Sequence, residues 1–295
     1  MRRVRTTLRL NGVDHPCFEI QGTHDGPRVS LIGGIHGCEY SSIAAVTKVA
    51  RELDPTQLSG SVTAVPVVSL ESFTQRAPFV VPADGKNLNR AFPGDPGGTY
   101  TERLAHDIFT TLIEPADALL DLHGGDLVEA LEPFALYCDE QSRDLALAFG
   151  LPYVVDSSDA LPGMTAKAAA DIGVRAVIAE AGGNGQLTTH AVDLLADGVS
   201  NALRQLNILR GEPDPPRSTT IASFEWLYSQ PEGFWVSGVT AGQRVSAGAL
   251  LGEVRDLYGD VQQHIHAPAD GVILFLTTSA AVPANGLLLG LGRER

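Results

Sequence analysis

A chain of 295 residues with 35 acidic and 21 basic side chains carries a formal net charge of −14. That balance excludes a general affinity for nucleic acid or an anionic membrane, since both need a basic face. With 44% hydrophobic residues the chain is globular rather than disordered, and long enough for one large α/β domain and a smaller one.

Residues 1 to 28 read as one or two edge strands, with T-H-D-G-P-R from Thr23 to Arg28 as a turn. The run from Val29 to Ser42, V-S-L-I-G-G-I-H-G-C-E-Y-S-S, starts as a buried parallel strand. It breaks at Gly33-Gly34 into a loop carrying His36 and Glu39. Ser41 or Ser42 can cap the next helix, where Ile43, Val46, Ala50 and Leu53 recur at helical spacing. In an open α/β sheet a loop at the carboxyl end of a strand is where ligands sit.

Val62 to Val68 is a second apolar run, and Pro66 makes it a strand end or an edge. A long functional loop follows from Ser69 to Gly98, holding Gln75-Arg76-Ala77 and D-G-K-N-L-N-R-A-F-P-G from Asp84 to Gly94. A helix is expected over Thr101 to Ile113, then the strand A-L-L-D-L-H from Ala118 to His123 and the strand Phe134 to Tyr137. Helices over Ser142–Phe149 and Thr165–Ile172 precede the strand R-A-V-I-A-E from Arg175 to Glu180. A helix from His190 to Leu209 closes this first part. Arg210 to Ser218, with three prolines, reads as a linker. Beyond it short strands and regular glycines point to a small all-β unit.

Three cysteines, Cys17, Cys38 and Cys138, cannot all pair and lack metal-finger spacing, which fits a reducing compartment. The N-terminus has no apolar core of signal-peptide length, and no run approaches the roughly 18 apolar residues of a membrane span. The expectation is a soluble cytoplasmic protein.

A His-x-x-Glu pair occurs by chance in an acidic chain, so His36 and Glu39 alone are a weak signal. Shared placement strengthens it: three strands, ending near Ile32, Leu122 and Ala179, each deliver an ionisable residue beside Gly-Gly. Two imidazoles and a carboxylate form a common catalytic zinc set. Asp121, two residues before His123, lies on the same strand face and can orient that ligand.

In order, G-G-I-H-G-C-E, D-G-K-N-L-N-R-A-F-P-G, D-L-H-G-G and A-E-A-G-G resemble the succinylglutamate desuccinylase/aspartoacylase family, related to zinc carboxypeptidases. The resemblance implies an α/β zinc-carboxypeptidase-like mixed sheet flanked by helices. It further implies one zinc ion on His36, Glu39 and His123, and Glu180 as general base. Asn89 and Arg90 match the pair that grips a substrate α-carboxylate, and Arg76 more loosely matches an arginine that polarises the scissile carbonyl. Where many relatives carry Asp before Leu-Asn-Arg, this chain has Asn87. Lys167 and Arg175 are the candidates for reading a substrate side-chain carboxylate.

G-V-T-A-G-Q-R-V-S-A-G-A-L-L-G-E-V from Gly238 and I-H-A-P-A-D-G-V-I from Ile265 resemble the halves of a biotinyl/lipoyl-type barrel sandwich. Carrier domains of that type show a lysine on the hairpin between the halves, and no lysine follows Lys167 here. The division is therefore residues 1–212, catalytic, and 213–295, a β-rich unit serving as lid or homo-oligomer surface. His264 and His266 alternate on one strand and read as inert. The implied activity is deacylation of an N-acylated small carboxylate, with a short-peptide carboxypeptidase and a non-catalytic binding protein of the same fold as alternatives.

Overall fold

The computed structural model describes residues 1–159, 162–215 and 217–294. Pro216 of the expected linker lies outside them. Strands β1 (Arg2–Leu10) and β2 (Val13–Gln21) form a hairpin. Its turn residues Asn11 and Gly12 both take positive φ, as a tight hairpin turn requires. Strand β3 (His24–Gly33) leads to helix α1 (Tyr40–Glu52), and β4 (Ser59–Val65) stops one residue before Pro66. The expected long loop contains a short helix, α2 (Leu70–Gln75), whose six residues are too few for apolar periodicity to register. Helix α3 (Tyr100–Ile108) opens with a capping box between Thr99 and Glu102 and continues as a π-helical turn to Ile113.

Strands β5 (Ala118–His123), β6 (Glu129–Leu131) and β7 (Phe134–Tyr137) precede α4 (Glu140–Phe149) and β8 (Tyr153–Asp156). Helix α5 (Thr165–Asp171), strand β9 (Arg175–Glu180) and helix α6 (Thr189–Gln205) follow. The remainder is all strand: β10 (Thr219–Tyr228), β11 (Gly233–Ser237), β12 (Arg244–Val245) and β13 (Leu250–Arg255). Then come β14 (Val261–His266), β15 (Gly271–Thr277), β16 (Ala281–Val282) and β17 (Leu287–Glu294).

A thirteen-stranded mixed sheet runs β1-β2-β4-β3-β5-β9-β7-β8-β10-β17-β15-β12, with β6 paired to β15. Strands β4, β3, β5 and β9 are mutually parallel. Alternate strand residues face opposite layers, as the two-residue period dictates. Leu31, Leu120 and Leu122 pack with Val46, Val49, Phe149, Leu195 and Val199 of α1, α4 and α6. Ile32, Leu119 and Ile178 pack with Leu104, Ile108 and Ala169 of α3 and α5. The result is a sheet covered by helices on both faces, matching the expected α/β class.

The C-terminal strands divide between two sheets. Strands β10, β17, β15 and β12 extend the large one, while β14-β13-β11-β16 form a second sheet of four. An apolar core including Trp235, Leu251, Val254, Ile273 and Leu289 lies between them. No helix among the described residues is long and apolar enough to cross a membrane.

Candidate metal centre and active site

Strand register places the site. In the parallel sheet Gly33 is opposite Leu122, and His123 is opposite Glu180, so three carboxyl ends meet at one edge. Asp121 and His123 share the parity of Leu119, and Glu180 that of Ile178; all project toward the α3 and α5 side. Past Gly33 the loop packs so closely on α2 that a Cβ on Gly37 would come within 2.1 Å of the Phe73 nitrogen. Glycine there lets His36 and Glu39 turn back over the strand ends.

His36, Glu39 and His123 are buried, with one ligand atom from each within 4.8 Å of the others. The His36 Nδ1 lies 2.6 Å from Glu39 Oε1, and the His123 Nδ1 lies 3.1 Å from Glu39 Oε2. Each imidazole has its other nitrogen engaged: His36 Nε2 with Asn87 Oδ1 at 3.0 Å, and His123 Nε2 with Asp121 Oδ2 at 3.1 Å. Nε2–H groups that donate to these acceptors leave Nδ1 lone pairs aimed at a carboxylate. Such a contact is repulsive unless positive charge sits among the three atoms, so the donor set fits a cation. Asn87, where a charge was expected, thus serves as a neutral acceptor for His36.

Without an ion that charge is carried by protons. Burial opposes protonation of His36 and His123. The nearby Glu39 outweighs it for His36, as do Asp121 and Glu39 for His123, and both pKa values are raised. Burial would lift Glu39, but the two imidazoles pull it down to about 2.

Glu39 is the residue that opens α1, yet its carboxylate does not cap that helix; it accepts instead from the Gly124 N–H at 3.2 Å. Neither Ser41 nor Ser42 is the cap, contrary to expectation. The helix begins earlier, and Ser42 Oγ donates to the Glu39 carbonyl at 2.7 Å. The helix N-terminus still favours the anionic carboxylate.

At the end of β9, burial lifts Glu180 well above the ordinary carboxyl range. His123 pulls it down, while Glu39, Asp121 and Glu129 push it up. Asn89 is buried, and its Oδ1 accepts from the Thr165 N–H at 2.9 Å. Arg90 is exposed, with one N–H donated to the Asn89 carbonyl at 2.6 Å. Arg76 is exposed at the C-terminal cap of α2 in a left-handed conformation, φ 54°. Three residues on, Phe79 stacks its ring on His36 with centroids 5.4 Å apart. The Arg76 loop therefore borders the centre.

Sequence reasoning missed four neighbours. Phe79 takes φ 62°, costly for a bulky side chain, and its N–H is held by Asp126 Oδ2 at 2.6 Å. Asp126 is buried, and burial raises its pKa. Burial, together with Glu39 and Asp126, lifts Glu129 to about 7. The fourth is Thr165, which bonds both Asn89 and Asp121. The only signal for Asp126 and Glu129 was their closeness to His123 in sequence. Lys167 is engaged by Asp171 on α5, and Arg175 begins β9 at the end opposite Glu180.

An α/β sheet with a two-histidine, one-carboxylate centre at its carboxyl edge defines the class, and comparison with known proteins gives it a family. Residues 25–206 match the Succinylglutamate desuccinylase/Aspartoacylase catalytic domain, and the chain belongs to this family of deacylases. It is 33% identical over 269 residues to the N-alpha-acetyl-L-2,4-diaminobutyric acid deacetylase of Halomonas elongata, covering 84% of this chain and 77% of that one. The apo ectoine utilization protein EutE (DoeB) of Ruegeria pomeroyi aligns with TM-score 0.84 at 26% identity, over 99% of this chain and 95% of that one. A succinylglutamate desuccinylase/aspartoacylase from Rhodobacter sphaeroides has the same fold, with TM-score 0.88 at 23% identity, over 100% and 95% of the two chains.

Proposed function

We propose that this chain is a zinc-dependent hydrolase of the cytoplasm that cleaves the amide bond of an N-acyl amino acid or a related small carboxylate. One observation carries the reading: two buried Nδ1 atoms converge on Glu39 while both Nε2 atoms are already engaged, which calls for a cation. A zinc ion held by His36, Glu39 and His123 would lower the pKa of water toward ~7 and polarise the amide carbonyl.

In this reading Glu180 takes the proton of the attacking water as the new C–O bond forms. It returns that proton to the nitrogen as the C–N bond breaks, releasing an acid and an amine. A carboxylate whose pKa is raised by burial holds the proton it takes until it is handed to the nitrogen. Arg76 meets the charge that builds on the carbonyl oxygen, and Asn89 with the Arg90 fork holds the α-carboxylate. Residues 1–212 carry this machinery, and 213–295 form the biotinyl/lipoyl-like unit without a carrier lysine.

Asp126 and Glu129 stand near the centre, whereas Lys167 is engaged by Asp171 and Arg175 lies at the far end of β9. This favours a substrate side chain that is neutral or cationic. The substrate named for the Halomonas relative, N-alpha-acetyl-L-2,4-diaminobutyric acid, is of that kind.

The test is amine release from N-acetyl, N-formyl and N-succinyl derivatives of diaminobutyrate, aspartate and glutamate, beside a dipeptide panel, with zinc-loaded and chelated protein. Cleavage of an N-acetyl amino acid, lost on chelation and restored by zinc, supports the reading. Cleavage of dipeptides alone would make the protein a carboxypeptidase, and no cleavage in either panel a binding protein. Glu180→Ala should retain zinc while turnover falls by about 10²-fold or more. Near-native turnover in that variant would sink the base assignment.

A further inference from the structure

We propose that Thr165 is a positioning residue that ties the substrate-carboxylate clamp to the metal-ligand strand. The inference rests on the reading of His123 as a ligand and Asn89 as part of the clamp. Thr165 is fully buried at the start of α5 and is bonded in both directions. Its backbone N–H donates to Asn89 Oδ1 at 2.9 Å, and its hydroxyl donates to Asp121 Oδ2 at 2.5 Å.

The second bond matters because of what Asp121 otherwise lacks. Its Oδ2 accepts from His123 Nε2 at 3.1 Å, while its buried Oδ1 has no partner among the described residues. The carboxylate that orients His123 is therefore held by two bonds to one oxygen, and among the described residues Thr165 supplies the only one that does not come from the histidine itself. Without the hydroxyl, Asp121 can rotate about its terminal torsion and carry the imidazole with it.

The turn before Thr165 is seated as firmly on the clamp. Gly163 takes φ 95°, and a Cβ there would lie 2.3 Å from the Arg90 carbonyl oxygen. The Gly163 carbonyl also accepts from the Phe92 N–H at 3.2 Å. Residues 163–165 thus lie against residues 89–92 on one side and reach Asp121 on the other. A shift of the clamp on gripping a carboxylate is transmitted to the ligand histidine by one short rigid segment.

Thr165→Val keeps the backbone bond to Asn89 and removes only the hydroxyl. Its zinc dissociation constant, measured by competition with a chelator, should rise about tenfold. In the same variant kcat should fall while KM for the cleaved N-acyl amino acid stays within about twofold. In chelated protein the His123 Nε2–H proton, held on Asp121 in wild type, should shift upfield and exchange faster with solvent. Thr165→Ser should restore all three.

Unchanged zinc affinity with unchanged His123 resonances in Thr165→Val would overturn the proposal, as would Thr165→Ser being impaired equally. If wild-type protein binds no zinc, the functional reading fails, while the His123 resonances of the chelated variants still decide the role of Thr165. Should Thr165→Val not fold, the wild-type protein decides it: a slowly exchanging Thr165 hydroxyl proton supports the bond to Asp121, and its absence overturns the proposal.

Discussion

Single side chains at this site are governed by how burial and charge compete. Glu39 is as buried as a core residue, yet two imidazoles hold it ionised. Glu129 meets the opposite outcome, because burial and the neighbouring carboxylates lift it to about 7. In the unfolded chain it titrates near 4.5. Below that pH both states are protonated, and the residue has no effect on stability. As pH rises toward about 7 the unfolded state releases its proton first, so stability falls, and above 7 the loss is complete. Glu129→Gln can still accept the Asp126 N–H bond made by Oε2. In chelated protein the variant should therefore melt above wild type at pH 8, with the gain vanishing at pH 4. An equal difference at both pH values would refute the assignment. Closeness to His123 was the one sequence signal for this residue: its environment comes from Glu39 and Asp126, and only Asp126 is a near neighbour in the chain.

Elements were legible where they are long, and less so where they are short. The α1, α3 and α6 periodicities, the A-L-L-D-L-H strand and the R-A-V-I-A-E strand stand where the apolar pattern puts them. The short α2 passed unread because six residues hold fewer than two helical turns, and β6 and β8 because three and four residues hold at most two repeats of the strand period. Helix packing adds a constraint that no pattern reveals. Gly198 in the middle of α6 faces Phe149 of α4, and a Cβ there would fall 2.0 Å from a ring carbon. Helix propensity alone would make Gly198→Ala stabilising by roughly 1 kcal/mol. Overpacking should win, destabilising the protein by about 1–3 kcal/mol in urea melts. A rise in stability would show that the α4–α6 contact gives way easily.

At the scale of the molecule residues 1–212 and the C-terminal strands share structure. Strand β10 pairs in parallel with β8, and β15 pairs with β6, the strand that carries Glu129. Beyond β15, Thr278 reaches back to the site rim through Val128 O at 2.8 Å and Asn184 Oδ1 at 2.6 Å. Ile221, Val272 and Leu274 are fully buried in the same core as Ile32 and Leu119. Each such side chain contributes roughly 1.5–3 kcal/mol, against a typical total of about 5–15 kcal/mol. A chain cut to residues 1–212 should accordingly be insoluble or lack a cooperative melt. Soluble 1–212 protein with wild-type zinc affinity would show instead that the C-terminal strands are dispensable for the centre.

By itself the sequence determined the α/β class, the order of the long elements and which residues end the parallel strands, because periodicity and glycine breaks act over a few neighbouring residues. It also carried the four motifs that mark the family. Only the tertiary structure decided that Asn87, whose missing charge the sequence already shows, stands behind His36. The same holds for Phe79 lying on that ring and for Thr165 joining Asn89 to Asp121. These are contacts between segments tens of residues apart. They depend on sheet register and helix docking, which the whole chain settles at once and no local stretch encodes.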